Sequence, residues 1–188
     1  MPDFYKIVLG VGHDLAETGI SEGWIGIGWF GETDLSDRFP ETIQEFRDEF
    51  SPIFMEDGVT SKIAAGNICG ALFSVGKAMR DNDLVITPTG RRTFRVGKIV
   101  GPYHHVKDQP LPHRRPVEWF DVEIPKDELT EDLQKTLSTP RTLSHLKGYP
   151  EEIQKSYEEQ LHAFISGEPI SHGATERIEE SVSFIMEK

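Results

Sequence analysis

The chain alternates between two hydrophobic patterns. Short runs of β-branched and aromatic residues, closed by glycine or proline, are typical of strands and hairpins. Apolar residues spaced three or four positions apart are typical of one face of a helix. The first pattern predicts strands at 4–9, 24–30, 84–86, 94–100 and 117–124. The second predicts helices at 41–50, from a Thr60 or Ser61 cap to about 80, and at 126–137, 151–166 and 175–186.

These elements predict an α+β fold with one main domain. A chain of 188 residues suits a single domain with an appendage. We expect that domain to span 3–147. The remaining residues, 148–188, are expected to form a helical extension or a linker to a further domain, with a glycine-bounded break at 167–173.

Charge is distributed unevenly along the chain. Residues 84–117 carry seven basic side chains and one acidic one, whereas 1–83 and 118–188 each carry a net charge of −9 within a total of −12. Basic residues gathered in one segment of an acidic protein favour a polyanionic partner, because phosphate contacts need clustered Lys and Arg. The alternative is a basic loop that pairs with the protein's own acidic helices.

Aromatic and basic residues are interleaved in the loop predicted at 102–115. It contains Tyr103, His104, His105 and His113 beside two arginines at its end. Such a composition suits base stacking combined with phosphate contact. The sequence therefore predicts that this loop belongs to a nucleic-acid interface.

The strand at 24–30 is rich in glycine and tryptophan. Glycine at every second or third position leaves one face nearly bare, as where a flat ligand or another backbone must come close. Trp24 and Trp29 lie here, and Trp119 is the third and last tryptophan of the chain. Together they are candidates for an aromatic pocket around a planar base. The alternative is that the tryptophans are ordinary core residues.

Several catalytic and cofactor signatures are missing. Gly10 and Gly12 are not followed by a third glycine that opens a helix, and 15–20 is short and acidic, so a dinucleotide fold is rejected. The histidines of the 102–115 loop lack a recognised metal-ligand spacing. No cofactor, metal or catalytic residue is therefore predicted.

A nuclease motif is also rejected. Asp121 and Glu123 precede Lys126, but Pro125 breaks the strand where that lysine would have to point inward. Cys69, the only cysteine, is expected to be buried packing and indicates a reducing compartment. No apolar run approaches the roughly 20 residues of a membrane span, and the first residues lack a signal-peptide layout. A cytoplasmic protein is expected.

Four motifs occur in a characteristic order: IGIGW at 25–29, DLVITP at 83–88, GKIVGPY at 97–103 and HRRPVEW at 113–119. In this order they resemble the N-terminal domain of some restriction endonucleases of the Mrr and McrB kinds. That domain belongs to the PUA-like group, which includes EVE and YTH domains. The resemblance covers roughly residues 3–145.

The resemblance implies a small curved or barrel-like sheet flanked by helices, with a pocket for a flipped, often methylated base. Residues just after the first strand, a tryptophan on the second and a later loop form that pocket in the group. Arginines would hold the DNA backbone on either side. On this chain the implied pocket residues are Gly12, His13, either Trp24 or Trp29, with Trp29 favoured because the resemblance is tightest there, and the 103–105 loop with Tyr103 and His104. Trp119 is a further pocket candidate as the third tryptophan. The basic segment supplies the candidate phosphate contacts, which are Arg91, Arg92, Arg95, Lys98, Arg114 and Arg115.

The leading functional hypothesis is a non-catalytic reader of modified double-stranded DNA. It would be the recognition part of a modification-dependent restriction or phage-defence system, with a nuclease or ATPase as partner domain. Three alternatives stay open: an RNA-binding module of the same fold, a protein-interaction scaffold supported by the acidic flanks, and an enzyme without a visible motif.

Overall fold

The computed structural model describes residues 2–147 of the chain. The helices predicted at 151–166 and 175–186 lie outside the described residues. Within that part, the structure has an α+β fold with a curled, half-barrel mixed sheet and four α-helices. The strands are β1 (Phe4–Ile7), β2 (Trp24–Ile27), β3 (Leu84–Pro88), β4 (Thr93–Ile99), β5 (His104–His105), β6 (His113–Pro125) and β7 (Leu143–His145). The helices are α1 (Ala16–Glu22), α2 (Ile43–Glu56), α3 (Lys62–Phe73) and α4 (Glu131–Leu137).

The sheet runs in the order β2-β6-β4-β3-β1-β7, and β5 also pairs with β6. β1 and β3 are parallel, and the other pairs are antiparallel. β6 is long enough to pair with β2 and β5 through its first half and with β4 through its second half. One strand thus belongs to both parts of the sheet, which explains the curl.

An irregularity in β6 adds to the bend. Arg95 of β4 lies opposite Glu123, whereas Gly97 lies opposite Trp119, so β6 carries two extra residues between these pairs. Extra residues on one strand increase its twist and bend it. Gly97 fits this place because a Cβ there would lie 2.9 Å from the ring of Trp119.

The core lies between one face of the sheet and the helices α2 and α3. A capping box at Thr42 and Glu45 begins α2, and the side chain of Ser61 caps α3. Phe46, Phe50 and Cys69 are fully buried here. The prediction that Cys69 is buried is confirmed.

Several boundaries differ from the sequence-based expectation, and three of them show why. α2 continues through Pro52, where a break was expected, because Phe54 extends the apolar stripe and is buried. The acidic stretch after the first glycine loop forms the short helix α1, which buries Ala16 and Gly19. The helix expected at 126–137 is a 3-10 turn, Lys126–Glu128, followed by α4.

The region expected to be one loop at 102–115 is partly strand, since it contains β5 and the beginning of β6. This difference matters for the site, because ladder hydrogen bonds fix residues that the sequence placed on a free loop. No helix in the described part of the chain is long and apolar enough to cross a membrane.

Candidate functional site

A cavity of about 550 Å³ opens at the edge of the sheet where β1 and β3 end. The two strands are parallel, so their carboxyl ends meet there, and ligands commonly bind at such an edge. Three segments enclose the space: the loop after β1, the β3–β4 hairpin and the chain between α4 and β7. The lining residues are Lys6, Val8, Gly10, Gly12, His13, Pro88, Gly90, Arg92, Thr93, Phe94, Lys126, Leu137, Ser138, Thr139, Pro140 and Thr142.

The loop after β1 is held in an unusual backbone conformation. Gly10, Gly12 and His13 have φ values of 80°, 61° and 69°. Left-handed conformation is easy for glycine but costs a non-glycine residue about 1 kcal/mol or more, and such residues cluster at ligand sites. A Cβ added at Gly12 would meet nothing within 4 Å. The loop therefore presents bare backbone toward open space.

One side chain of this loop, His13, has a buried polar atom without a hydrogen-bond partner. Among the described residues, the buried side-chain atoms without a hydrogen-bond partner are His13 Nδ1, Thr87 Oγ1 and Arg95 Nε. Thr87 and Arg95 are cross-strand partners in the β3–β4 hairpin, and His13 lies about 3.8 Å from where a Cβ of Gly90 would be. Buried polar atoms are usually paired, so His13, which also lines the cavity, is available to a ligand or a water molecule.

The cavity is cationic. Lys6, Arg92 and Lys126 line it together with His13, and no aspartate or glutamate does so among the described residues. Lys126 Nζ donates to Ser138 Oγ at 2.9 Å. Arg92 forms an ion pair with Asp127 at 2.8 Å, but both side chains are 75% exposed, and exposed pairs of this kind contribute little.

Lys6 forms the buried part of the cavity wall. Its Nζ donates to the carbonyl oxygens of Thr139 at 2.6 Å and Arg141 at 2.9 Å. Burial lowers the pKa of this ammonium group because removal from water disfavours the charged form. These two bonds fasten the chain between α4 and β7 against β1, so Lys6 both shapes the cavity and contributes positive charge.

A family model described as a domain of unknown function, DUF8426, matches residues 5–147. The chain belongs to the DUF8426 family. No curated protein and no solved structure matches the chain. The matched interval contains every residue that lines the cavity, so the cavity is a feature of the DUF8426 domain itself.

The predicted aromatic pocket is not assembled in the DUF8426 domain. Trp24 is buried beneath the guanidinium of Arg114, which lies 3.9 Å from its ring centroid. Trp29 packs against the hydrophobic core, and the Nε1 of Trp119 donates to the carbonyl of Gly19. None of the three tryptophans lines the cavity. The core alternative describes them better.

Tyr103 belongs to a buried hydrogen-bond chain. The backbone N–H of Leu35 donates to Tyr103 Oη at 3.3 Å, and Tyr103 Oη lies 2.8 Å from His113 Nδ1. His113 Nε2 lies 3.1 Å from the carbonyl of Phe30. A carbonyl only accepts, so Nε2 carries the proton and Tyr103 donates to Nδ1. Burial raises the pKa of Tyr103 to about 12 and lowers that of His113.

The remaining predicted pocket residues lie in two separate parts of the sheet, His104 near β6 and Gly12 and His13 beside β1. His104 is exposed on β5, which pairs with β6. Gly12 and His13 line the cavity beside β1. β6, β4 and β3 separate β2 from β1 in the sheet. Of the predicted pocket set, only Gly12 and His13 line the cavity.

Two of the predicted phosphate contacts are buried. Arg114 and Arg115 are only 8% and 7% exposed. Arg114 donates to the carbonyls of Leu111 and Pro110, and Arg115 donates to those of Gly101 and Met79. Their guanidinium groups are committed to backbone oxygens. The assignment of these two arginines to a DNA backbone is therefore wrong.

The other four lie along the β3–β4 hairpin and β4. Arg95 is paired with Asp121 and Lys98 with Glu118, each at 3.4 Å. Arg91 and Arg92 are exposed at the turn of the hairpin, and Arg92 lines the cavity. Positive charge that is open to a ligand is thus concentrated at this turn and in the cavity.

Sequence reasoning missed Lys6 and Lys126 as site residues. Lys6 did carry a signal, since it is the single charged residue inside the apolar first strand. Lys126 was considered only as part of a nuclease motif. Its place in the cavity depends on the turn after β6, which no local pattern indicates.

Proposed function

We propose that this DUF8426 domain is a non-catalytic nucleic-acid reader that takes one nucleotide of DNA into the cavity at the ends of β1 and β3. One observation carries the proposal. In a protein with a net charge of −12, the cavity is lined by three cationic side chains and no carboxylate within residues 2–147. Such a local potential attracts a phosphate-bearing ligand whatever the overall charge of the protein.

The dimensions and surfaces of the cavity support a nucleotide. About 550 Å³ falls within the roughly 300–1,000 Å³ of typical small-ligand sites. His13 is half-buried and lines the cavity, so its ring can stack on a base, whereas Phe94, which is 5% exposed, forms part of the apolar wall. At Gly12, where φ is 61° and a Cβ would meet nothing within 4 Å, a ligand can approach the backbone closely.

The turn of the β3–β4 hairpin supports contacts with neighbouring phosphates. Arg91 and Arg92 are both exposed there, and Arg92 lies on the rim of the cavity. A strand of DNA that delivers one nucleotide to the cavity would pass these side chains. Extruding a base costs a few kcal/mol, which stacking and the phosphate contacts would offset.

The finer part of the proposal concerns the base and the biological role. We propose a PUA-like domain whose ligand is double-stranded DNA with a modified base, acting with a nuclease or ATPase domain in restriction or phage defence. The resemblance of the motifs supports this, as do the curled sheet and the cavity position of Gly12 and His13. Because the tryptophans lie elsewhere, discrimination of the base would depend on polar groups and Phe94.

Fluorescence polarisation with the full chain at fixed salt tests the proposal. The probes are matched duplexes with cytosine, 5-methylcytosine, 5-hydroxymethylcytosine or 6-methyladenine, and one single-stranded RNA. We expect at least tenfold tighter binding of one modified duplex, about 1.4 kcal/mol. The double variant Arg92→Ala/Lys126→Ala should weaken that binding about tenfold or more, since it removes two cavity cations.

Lys107→Ala is the matched control, because Lys107 is exposed but does not line the cavity. It should leave the affinity within about twofold of the unaltered protein. Equal binding of all duplexes, tighter binding of the RNA, or equal losses in the cavity and control variants would each contradict the proposal.

A further inference from the structure

Lys6 is a buried cation without a counter-ion among the described residues. Its side chain is 1% exposed, and no ion pair within residues 2–147 includes it. The depression of its pKa has burial as its only cause, with no contribution from any carboxylate. Buried charges in proteins are normally paired, so this lysine is an exception that needs an explanation.

The two hydrogen bonds that Lys6 donates to backbone carbonyls leave one N–H donor and the positive charge without a partner among the described residues. An ammonium group has three donors, and Thr139 and Arg141 accept two of them. Carbonyl dipoles solvate a charge but do not neutralise it, and burial of an uncompensated charge is costly. A methionine or leucine would fill a buried strand position without that cost. A lysine at this position is explained if an anionic group of a ligand binds in the cavity and compensates its charge.

The surroundings in the cavity favour an oxyanion. Lys126 and Ser138 line the same space as Lys6 and are bonded to each other at 2.9 Å. Thr142 lines the cavity as well, whereas the hydroxyl of Thr139 already donates to the carbonyl of Thr136 at 3.0 Å. Ammonium and hydroxyl donors are the groups that hold phosphate and carboxylate oxygens. An ordinary neutral methylated base would leave Lys6 uncompensated.

We infer that Lys6 is the counter-ion of an oxyanion, a phosphate or carboxylate group of the ligand, bound deep in the cavity. The inference rests on the proposed function, because it concerns the cavity that we propose takes the nucleotide. The part of the ligand that lies deepest in the cavity would be a phosphate or a carboxylate. Two sources share that chemistry: a terminal phosphate of a nucleotide or nucleic-acid end, and a carboxyl substituent on a modified base.

Thermal unfolding of the full chain in inorganic phosphate is the first test, with ionic strength held constant by potassium chloride. A ligand that binds only the folded state raises Tm in a saturable way. We expect this rise in the unaltered protein and in Lys107→Met, and its loss in Lys6→Met. Lys6→Met removes the buried charge but also leaves the carbonyls of Thr139 and Arg141 without their donor, so we expect a lower starting Tm and compare only the phosphate-induced rise.

A second measurement keeps the test decisive if Lys6→Met does not fold. In the unaltered protein labelled with ¹⁵N-lysine, the Nζ resonance of Lys6 should shift in a saturable way with phosphate. The resonance of the exposed Lys107 should shift less and without saturation. An unshifted Lys6 resonance, or a phosphate-dependent Tm that Lys6→Met retains in full, would overturn the inference.

Oligonucleotide binding then separates the two sources. One arm compares 5′-phosphorylated with 5′-hydroxyl strands, and the other compares duplexes with 5-carboxylcytosine and 5-methylcytosine. We expect at least tenfold tighter binding of the anionic member in one arm, lost in Lys6→Met. No difference in either arm refutes the inference. Modified-duplex binding that is unchanged in Lys6→Met would refute it while leaving the proposed function standing.

Discussion

Two regions of this domain are rich in cationic and aromatic side chains, and they differ in what those side chains already bind. The first is the cavity beside β1 and β3, with Lys6, His13, Arg92 and Lys126. The second, which we call the β6 cluster, consists of Trp24, Tyr103, His113, Arg114 and Arg115. From composition alone, the β6 cluster is the better candidate for a nucleic-acid site.

The hydrogen-bond partners of these side chains make the cavity, and not the β6 cluster, the better candidate. In the β6 cluster, both arginines donate to backbone carbonyls, and the ring nitrogens of His113 have Tyr103 and Phe30 as partners. In the cavity, Lys6 also donates to two carbonyls, and Lys126 and Arg92 have Ser138 and Asp127 as partners. There, however, His13 Nδ1 has no partner and Lys6 has no counter-ion among the described residues. Residue type indicates which chemistry a group can perform. The completeness of its bonding determines whether it is available to a ligand.

The largest expected effect tests the structural role of the β6 cluster. Arg115→Ala removes the donor to the carbonyls of Gly101 and Met79 and leaves them buried without a partner. Hydrogen bonds from charged groups contribute about 1.5–3 kcal/mol each, and orphaned acceptors add a penalty. We expect the free energy of unfolding to fall by about 3 kcal/mol in urea titrations. The DNA affinity of the folded fraction should not change.

Loss of DNA affinity without loss of stability in Arg115→Ala would contradict this assignment. That result would mean that the guanidinium faces a ligand and that the buried carbonyls have other partners.

A smaller effect concerns the protonation of His113. Burial lowers its folded-state pKa below the ordinary value, which is about 6.5, and nearby His105 lowers it further. The unfolded chain therefore binds the proton more readily, so stability is complete above about pH 6.5 and falls as the pH drops below it. We expect a loss of up to about 1.4 kcal/mol per pH unit between pH 6.5 and 5.5.

His113→Gln is the matched variant for this pH dependence, since glutamine keeps a donor and an acceptor without titrating. Urea unfolding at half-unit pH steps should show a flatter profile for His113→Gln than for the unaltered protein. Parallel profiles would mean that His113 does not titrate differently in the folded and unfolded states.

Local patterns were sufficient to predict most elements of the fold. The strand at 84–86, the hairpin that follows it and the Ser61 cap of α3 are all present, because glycine, proline and capping residues act over a few positions. The helix expected at 41–50 was too short, since α2 continues through Pro52 to Glu56. The burial of Phe54 on the far side of the proline outweighs the lost backbone bond, and that packing depends on tertiary contacts.

The site was harder to predict because it depends on contacts distant in sequence. The cavity needs β1 parallel to β3 and the chain before β7 fastened to Lys6, and the Lys6–Thr139 bond joins residues 133 positions apart. Gly12 and His13 were found through the resemblance, since they directly follow the first strand. The arginines of β6 were misassigned because a local pattern does not show that backbone carbonyls already occupy a side chain.

The salt dependence of DNA binding tests the contrast between the two regions most directly. Each phosphate contact removed lowers the slope of log Kd against log salt concentration by about one. We predict a slope lower by about two for Arg92→Ala/Lys126→Ala and an unchanged slope for Arg114→Gln. A slope that falls in Arg114→Gln and stays unchanged in the cavity variant would contradict the claim that the cavity, and not the β6 cluster, receives the nucleic acid.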